Sequence, residues 1–428
     1  MGLFEMLNSQ LAVHRDRLAS LLTFVREHIP FYQQTIPQDV ARLVSDSEHW
    51  QQIPLLTKQQ IQTNWLRFLS KPDIVNDSNV VIMSTSGSTG TPLKIARPRS
   101  ELRAQTKRIW ATRTRWYPGI MRWELVSLYS NVESQNQRVL QIGAPGEFLD
   151  ISSDALASHA RKIDEFKPDW MCGDPTCVYR LAEFYRQRKQ GIPTLKLIQT
   201  TGEHLYPHQR SVIEDVFSCR VSNVYGCREF WVLSWECPYG TMHAWTDDLL
   251  FEVIRDGQPA LPGEEGELVV TTLTNPIMPL VRYRLGDYVQ MAPSSCLCGD
   301  PRPALTPLGG RTASVVITRK RSITSFVWDR VFSEYILHHD QSLVEYQVVQ
   351  LDYDHLEIRL VPGERFEENI VTEQLAAIIY RFLPELECRF IICSSIAPES
   401  SGKTRTFVSH IPPSGFQPGA NKENQAFG

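Results

Sequence analysis

A run of hydroxyl-bearing residues and glycines in this chain has the composition of a phosphate-binding loop. The run is Ser84-Thr85-Ser86-Gly87-Ser88-Thr89-Gly90-Thr91-Pro92, and it directly follows a short apolar stretch at residues 79–83. Glycine lets the backbone come close to a phosphate group, and clustered hydroxyl and amide groups can donate hydrogen bonds to its oxygens. The run lacks the Gly-Lys-Ser/Thr ending of a Walker A loop. We expect residues 84–90 to bind phosphate; a Ser/Thr-rich surface loop is the alternative.

Further short motifs follow this run along the chain. They are Thr201-Gly202-Glu203, Tyr225-Gly226-Cys227-Arg228-Glu229, Tyr283-Arg284-Leu285-Gly286-Asp287, Gly310-Arg311 and Ser401-Gly402-Lys403-Thr404-Arg405. Together with the phosphate run, they resemble the ordered motifs of the adenylate-forming superfamily of acyl- and aryl-CoA synthetases. Two more segments, residues 54–58 and 278–283, are similar to the phenylacetate–CoA ligase-like branch of that superfamily. The resemblance extends from about residue 20 to residue 410.

The resemblance implies a role for each motif. It implies that ATP binds with Mg²⁺, that Glu229 helps to hold the Mg²⁺, and that a carboxylic acid is the substrate. Lys403 and Glu229 are the implied catalytic residues, and Lys403 bridges the attacking carboxylate and the α-phosphate. At the adenine, the implied contacts are the backbone of Gly202 and Glu203 and the ring of Tyr225, which precedes Gly226. Asp287 is the implied contact of the ribose. Arg311 is implied to contact the ribose or a phosphate.

The implied reaction is attack of a carboxylate on the α-phosphate of ATP, which yields acyl-AMP and pyrophosphate. Because two anions must meet, positive charge is the main requirement: one cation is worth about 4 kcal/mol at 4 Å and an effective dielectric constant near 20. The acyl group would then pass to CoA or to the thiol of a carrier protein. The alternatives are amide formation with an amine acceptor, a nucleotide-binding protein without turnover, and a kinase or ATPase.

Residues 312–320 depart from the pattern of CoA-forming relatives. Those relatives have a Thr/Ser-Asp-Asp hinge after Gly-Arg and later a glycine that lines the pantetheine tunnel, whereas this chain has Thr312-Ala313-Ser314-Val315-Val316-Ile317-Thr318-Arg319-Lys320. The glycine-rich segment of true phenylacetate ligases, between the phosphate loop and the adenine strand, is also missing. The motifs therefore support the adenylation step more strongly than thiol transfer, and they do not identify the acid.

A second group of residues has the chemistry of a metal site. Cys237 and His243 lie in one segment, and Cys296 and Cys298 lie in another, with 52 residues between His243 and Cys296. Two thiolates from one Cys-x-Cys pair, a third thiolate and an imidazole can form a tetrahedral Zn²⁺ site, which would be structural because all four positions are filled by protein. The alternative is two unrelated loops that carry free thiols.

The elements that would position these motifs follow an α/β pattern. Apolar residues at helical spacing predict a helix over residues 4–29, ended by Pro30, and Thr57 predicts the cap of a second helix. Short β-rich runs then alternate with helices, which predicts a mostly parallel, helix-covered sheet, followed by a β-rich subdomain. A small α+β domain is predicted after it. We expect an N-terminal adenylation core at 1–311, a mobile C-terminal domain carrying the catalytic lysine at 312–412, and a loose tail at 413–428.

Composition limits the classes of partner. The net charge of −4 over 428 residues gives no basic footprint for nucleic acid or anionic lipid. No apolar run is long enough to span a bilayer, and the first six residues lack a secretory segment and a myristoylation signal. Nine scattered cysteines indicate reduced thiols. A cytoplasmic location is the default expectation. We expect a monomer or a homodimer.

Overall fold

The computed structural model describes residues 5–84, 93–128, 137–142, 153–311, 315–320, 322–324, 327–328, 331–332, 334–335, 339, 342–397 and 405–411. The chain divides into two compact units. The first comprises Met1–Leu285 and Val289–Pro307, and the second comprises Gly286–Tyr288 and Leu308–Gly428. Among the described residues, no helix combines the length and the apolar character needed to cross a membrane.

Most of the described helices lie in the first unit, and the last one lies in the second. Within the described residues they are α1 (Glu5–His28), α2 (Tyr32–Thr35), α3 (Val40–Leu43), α4 (Ser47–Trp50), α5 (Lys58–Asn64), α6 (Arg99–Trp116), α7 (Ser153–Phe166), α8 (Pro175–Gln187), α9 (Pro207–Phe217) and α10 (Glu368–Phe382), with 3₁₀ turns at Trp65–Phe68, Pro72–Asn76 and Ile120–Arg122.

The strands form one large sheet and three small ones. They are β1 (Val80–Ser84), β2 (Lys94–Pro98), β3 (Leu125–Ser127), β4 (Val139–Gln141), β5 (Trp170–Gly173), β6 (Leu197–Thr201), β7 (Arg220–Cys227), β8 (Trp231–Glu236), β9 (Met242–Ala244), β10 (Leu249–Arg255), β11 (Gln258–Pro259), β12 (Glu265–Thr272), β13 (Tyr283–Ala292), β14 (Ala304–Arg311), β15 (Val315–Ile317), β16 (Ser322–Thr324), β17 (Leu343–Gln350), β18 (His355–Pro362), β19 (Glu387–Ile392) and β20 (Phe407–Ser409). The large sheet has the order β11-β10-β12-β13-β14-β9-β8-β7-β6-β5-β3-β4.

Two of the predicted N-terminal helices form as the sequence indicates. In α1, residues such as Leu11, Leu18 and Val25 are buried and share one face, and Pro30 follows two residues after the end of the helix. In α5, the Thr57 side chain accepts a hydrogen bond from the backbone N–H of Gln60, and the Gln60 side chain accepts one from the backbone N–H of Thr57. This reciprocal pair is a capping box, which satisfies two donors that a helix start leaves unpaired.

Five strands of the large sheet, β4-β3-β5-β6-β7, run parallel, as predicted from the alternation of strands and helices. Helices α8 and α9 connect successive parallel strands, and their apolar faces pack with the strands in one core that includes Met171, Ile198, Leu181 and Ile213. From β7 through β8 to β9 the pairing is antiparallel. The β-rich part therefore continues the same sheet.

One predicted strand has a different partner from the one expected. The stretch at residues 79–83 is predicted as a strand of the parallel sheet, but β1 pairs with β2 in a separate antiparallel hairpin, in the register Val80↔Pro98 to Ser84↔Lys94. A run of five residues is compatible with either kind of pairing, and the predicted phosphate loop joins its two strands.

The second unit contains the predicted small α+β fold. The hairpin β17–β18 is antiparallel, and β20 and β19 flank it in parallel, giving the order β19-β18-β17-β20. Helix α10 packs on this sheet through Val371, Leu375 and Ile379, which are all fully or almost fully buried.

A buried ion pair joins three parts of the first unit. The Arg282 guanidinium donates three hydrogen bonds of 2.8–3.2 Å to the carboxylate of Glu252 on β10, and both side chains are at most 4% exposed. Its remaining Nη1 donates to the carbonyl oxygens of Gln51 and Ile53. The indole N–H of Trp50 donates to Glu252 as well, at 3.0 Å. The N-terminal helical segment, the sheet and the residue before β13 therefore share one network.

The backbone at Arg282 is held in an unusual conformation by this network. Its φ is +49°, in the left-handed region that non-glycine residues seldom occupy. Its backbone N–H donates to Thr271 Oγ1 at 2.8 Å, and its carbonyl accepts from the backbone N–H of Leu56 at 2.9 Å. Since both sides of the peptide are bonded, the direction in which β13 begins is set at Arg282.

We expect Arg282→Ala to lower the free energy of unfolding by about 3–5 kcal/mol, because the Glu252 carboxylate would stay buried without its cation. Urea denaturation measures this change. Arg255→Ala is the matched control, since Arg255 lies on β10, is 55% exposed and has carboxylates no closer than 3.8 Å; its cost should stay within about 1 kcal/mol. Equal losses in the two variants would contradict the role of the pair.

Candidate nucleotide site and metal cluster

The hairpin β1–β2 carries the two ends of the predicted phosphate loop. Thr85 to Gly90 lie outside the residues that the structure describes, and for Ser84 only the backbone is described, as the last residue of β1. Strand β2, the exit strand that follows the predicted loop, is held by side chains from two other segments. The Trp65 indole donates to the carbonyl of Lys94 at 2.8 Å, and the Asn275 amide donates to the carbonyl of Ala96 at 3.0 Å.

A buried polar group fixes the junction between β2 and α6. Arg97 is 2% exposed and donates from Nε to Glu101 Oε2 at 3.1 Å, while the Thr274 hydroxyl donates to the other oxygen of Glu101 at 2.7 Å. A buried carboxylate needs such partners, because an unpaired charge would carry a large desolvation cost. The hairpin is thereby fixed relative to the loop between β12 and β13.

The predicted adenine segment lies at the carboxyl end of parallel strand β6, where ligands bind in open α/β sheets. Gly202 directly follows β6 and has a φ of +93°, which favours glycine. The Glu203 carboxylate accepts a hydrogen bond from the Thr176 hydroxyl at 2.5 Å. That contact joins the segment to the first turn of α8. Because it engages the Glu203 side chain, the predicted adenine contact of Glu203 would be made by its backbone.

Tyr225 and Gly226 lie near the end of β7, and Glu229 lies in the tight turn between β7 and β8. The register of these strands shifts between Tyr225 and Gly226, and Trp231, which starts β8, has a φ of +73°. A Cβ atom at Gly226 would overlap the carbonyl oxygen of Trp231, so this position excludes any side chain. The turn places Tyr225 and Glu229, both half-buried, on the same short segment.

Glu229 has the chemistry of a Mg²⁺ ligand. Its Oε1 accepts a hydrogen bond from the Tyr283 hydroxyl at 3.4 Å, and its Oε2 accepts none from the part of the chain that the structure describes. A half-buried carboxylate oxygen is the hard donor that Mg²⁺ prefers, usually in company with waters and substrate phosphates. The residues present therefore fit the predicted ion.

The remaining predicted nucleotide residues are described separately. Asp287 is half-buried in β13, after Gly286 with a φ of +83°. Arg311 is the last residue of β14, and only its backbone is described. Lys403 lies outside the described residues. These three positions keep the roles that the sequence motifs predict for them.

His204 and His208 are neutral in this fold. Burial lowers the pKa of each imidazole to about 4. His208 lies in the first turn of α9, and its ring stacks against that of Tyr206, with centroids 5.8 Å apart. Their surroundings are those of packed polar residues near a helix start.

The structure brings the four predicted metal ligands together. The sulfur atoms of Cys237, Cys296 and Cys298 and a ring nitrogen of His243 all lie within 4.8 Å of one another. Cys237 Sγ is 3.5 Å from Cys296 Sγ, and His243 Nε2 is 3.1 Å from Cys298 Sγ. A Zn–S distance of about 2.3 Å in tetrahedral geometry requires sulfurs about 3.8 Å apart, so the arrangement is near that of a zinc site.

The surroundings of the cluster orient its ligands. The His243 Nδ1 atom lies 3.1 Å from the carbonyl oxygen of Arg302, which fixes Nε2 as the nitrogen that faces the sulfurs. Backbone N–H groups of Tyr239 and Asp300 donate to Cys237 and Cys298, at 3.4 and 3.5 Å. Such amide-to-sulfur bonds stabilise negative charge on thiolates.

The acidity of the thiols differs within the cluster. Hydrogen bonds from the Thr241 side chain and from the backbone of Cys298 lower the pKa of Cys296 to about 6, whereas burial raises the pKa of Cys237 to about 11. A bound dication favours the deprotonated form of every thiol ligand.

A carboxylate next to the cluster forms ion pairs with two arginines. Asp300 has a side chain 1% exposed and lies 2.5 Å from Arg115 on α6 and 2.7 Å from Arg302. Burial alone would raise its pKa, but the hydrogen bonds from Arg302 and Arg115 outweigh burial and hold the pKa well below its usual range. Arg115 therefore connects helix α6, which follows the hairpin β1–β2, to the loop that contains Cys298 and Asp300.

Comparison with known proteins identifies the class of this fold and site. The profile of the AMP-binding enzyme family matches residues 23–274, and that of the CapK C-terminal domain matches residues 316–410. The chain belongs to the AMP-binding enzyme family, and the helix-covered sheet with a smaller C-terminal sheet is the fold of adenylate-forming ligases. Within the family it lies on the phenylacetate–CoA ligase-like branch.

Individual relatives agree with this placement. The chain is 25% identical to a phenylacetate-coenzyme A ligase of Thermus thermophilus over 385 residues, which are 85% of this chain and 84% of that protein. It is 22% identical to Protein CapK of Staphylococcus aureus, with coverage of 94% and 90%. Among solved structures it is similar to 2-hydroxyisobutyryl-CoA ligase in a postadenylation state, with a TM-score of 0.71, 19% identity, and coverage of 92% and 88%.

The structure also reveals two supporting residues to which the sequence motifs assign no role. Tyr283 contacts Glu229, and Arg282 fixes the backbone that leads into Tyr283. Tyr283 is the first residue of the Tyr283–Asp287 motif and Arg282 directly precedes it, but the motif assigns its role to Asp287.

We expect Gly226→Ala to lower the free energy of unfolding by about 1–3 kcal/mol and to weaken ATP binding, because the Trp231 carbonyl must move to admit the methyl group. Differential scanning calorimetry with and without Mg-ATP measures both effects. Gly119→Ala is the control: its added Cβ would meet a first neighbour at 3.7 Å, an ordinary contact. If Gly226→Ala retains the melting temperature and the ATP-induced shift of the parent protein, the turn does not depend on this glycine.

Proposed function

We propose that this protein activates a carboxylic acid as an acyl-adenylate, with release of pyrophosphate, and transfers the acyl group to CoA. The observation that carries the proposal is the family match over residues 23–274, which includes the phosphate hairpin and the Tyr225–Glu229 turn. The named relatives support the choice of acceptor, since the Thermus thermophilus protein is a phenylacetate-coenzyme A ligase. A carrier-protein thiol and an amine are the other acceptors to test.

The chain's own residues would meet the electrostatic demand of this reaction. In the proposed first step, a carboxylate oxygen attacks the α-phosphate of ATP and pyrophosphate leaves. Lys403 would lie between the two anions, and the amides and hydroxyls of residues 84–90 would restrain the β- and γ-phosphates. When bound, Mg²⁺ supplies positive charge to the departing pyrophosphate. Glu229 would hold that ion, and Asp287 would orient the nucleotide through its ribose.

The proposed second step needs the segment after Arg311 to permit thiol transfer. The acceptor thiol would attack the acyl carbonyl carbon, and AMP would leave with the oxygen that joined the acyl group to phosphorus. Residues 312–320 lack the paired aspartates and the glycine of CoA-forming relatives. An assay with and without CoA decides whether this half-reaction occurs.

We expect Lys403→Ala to slow AMP formation by roughly a thousandfold, the rate equivalent of one cation worth about 4 kcal/mol. A panel of aryl and aliphatic acids is incubated with Mg-ATP, with and without CoA, and nucleotides are separated by chromatography. Lys162→Ala, an exposed lysine on α7, is the control. Release of ADP in place of AMP would show a kinase or ATPase, and unchanged AMP release by Lys403→Ala would remove the lysine from the mechanism.

We also propose that Cys237, His243, Cys296 and Cys298 bind one structural Zn²⁺ ion. Four protein ligands would fill the tetrahedral positions, leaving none for substrate. The ion would join the turn after β8, the short strand β9 and the segment after β13, and its site adjoins the Asp300–Arg115 pair that reaches α6.

We expect the purified protein to contain about one zinc per chain by elemental analysis. Cys298→Ser should lose most of this metal and melt several degrees lower, since metal binding contributes directly to folding. Cys393→Ser is the control, because this half-buried thiol lies in the second unit and outside the cluster. Full zinc content in Cys298→Ser, or a metal-free parent protein, would contradict the proposal.

A further inference from the structure

The hydroxyl group of Tyr283 makes the one hydrogen bond to Glu229 that the described residues provide. Tyr283 is 1% exposed, and its oxygen lies 3.4 Å from Glu229 Oε1. The ring also packs against Phe230, with centroids 6.0 Å apart. Glu229 itself is in a turn and only half-buried. A rigid, buried donor therefore meets a carboxylate whose own segment gives it little support.

The position of Tyr283 is determined from both sides of its backbone. The Leu56 N–H donates to the carbonyl of Arg282, and the Arg284 N–H donates to the carbonyl of Leu56, each at 2.9 Å. Arg282 is in turn held by its buried bond to Glu252. Since the residue on each side of Tyr283 is bonded to Leu56, the backbone of Tyr283 cannot shift without breaking this bridge.

A glutamate side chain loses up to about 2 kcal/mol of rotamer freedom when it is ordered, and that loss opposes metal binding unless the side chain is ordered beforehand. The Tyr283 hydroxyl occupies Oε1 and leaves Oε2 without a hydrogen bond among the described residues. We propose that Tyr283 is a positioning residue that orders the Glu229 carboxylate for the Mg²⁺ that accompanies ATP. This inference rests on the proposed function.

The chain offers a matched tyrosine for comparison. The Tyr32 hydroxyl is also buried, donates to the carbonyl of Pro279 and accepts from the N–H of Val281, each at 3.0 Å. Both tyrosines thus support the same stretch of chain before and at the start of β13, but Tyr283 alone of the two contacts Glu229. Removing either hydroxyl tests its contribution to the stability of this stretch. The difference in metal affinity between the two variants tests the contact with Glu229.

The experiment measures metal affinity directly, apart from turnover. Mn²⁺ replaces Mg²⁺, and its free concentration is followed by electron paramagnetic resonance in the presence of α,β-methylene-ATP. Loss of an outer partner of a metal ligand typically costs 10- to 100-fold in affinity, so Tyr283→Phe should weaken Mn²⁺ binding by roughly tenfold. Tyr32→Phe should lower the melting temperature and leave the Mn²⁺ affinity as in the parent protein.

A second variant keeps the test decisive if Tyr283→Phe does not fold. Glu229→Asp keeps the carboxylate but shortens the side chain by one methylene, which takes it out of reach of the hydroxyl. It should lose a similar factor in Mn²⁺ affinity, and, where Tyr283→Phe does fold, adding that substitution should change the affinity no further. Unchanged affinity in Glu229→Asp overturns the inference, as does an equal loss of affinity in Tyr283→Phe and Tyr32→Phe.

The outcome is distinguishable from failure of the proposed function. In the acid panel, Tyr283→Phe should need roughly tenfold more Mg²⁺ for half-maximal AMP release, with its maximal rate largely recovered at saturating Mg²⁺. A parent protein that binds Mn²⁺ with the ATP analogue but never forms AMP refutes the proposed function alone. A parent protein that forms AMP, beside a Tyr283→Phe variant with the same Mg²⁺ requirement, refutes the positioning role alone.

Discussion

A guanidinium group buried in a protein must have partners for its charge and its donors, and this requirement organises the first unit. Arg282 satisfies it through Glu252 and the carbonyls of Gln51 and Ile53, at a position where its backbone is in the left-handed region. Removing one partner of such a pair leaves a buried charge, so the pair holds together segments that are distant in sequence. Strand β13, which contains Asp287, begins directly after Arg282.

The chemistry proposed for the protein is a problem of like charges. A carboxylate and a triphosphate repel each other, and the protein must supply cations and oriented dipoles at fixed positions before they meet. The described residues provide the supports for such positions: the anchored exit strand of the phosphate hairpin, the Tyr225–Glu229 turn, and the tyrosine behind Glu229. The exit strand and the tyrosine are each held by hydrogen bonds to segments distant in sequence, which suits a site whose groups should not reorganise during reaction.

Local patterns predicted much of the fold. Helix α1, the capping box at Thr57 and the parallel strands all depend on spacing or on residues a few positions apart, which sequence displays directly. The four residues of the metal cluster were predicted from ligand type and spacing, and the fold brings them together. The antiparallel pairing of β1 with β2 was not predicted, because a short run does not specify its partner.

Contacts between distant segments could not be predicted in this way. The Tyr283–Glu229 bond joins residues 54 positions apart, and the Arg282 network joins residues more than 200 positions apart. Nothing in the side-chain types alone shows which buried arginine will meet which glutamate, or that Arg282 will adopt a positive φ. These features follow from packing of the whole unit, and they add supporting residues to a site whose chemical groups the motifs already predicted.

The central claim is that an oxygen of the acid becomes bonded to the α-phosphorus of ATP, and isotope transfer tests it most directly. An acid that supports turnover is labelled with ¹⁸O in its carboxylate, and the products of a reaction carried to thioester are analysed by mass spectrometry. The account predicts one ¹⁸O atom in the AMP released. Unlabelled AMP, or label found in inorganic phosphate, would contradict it.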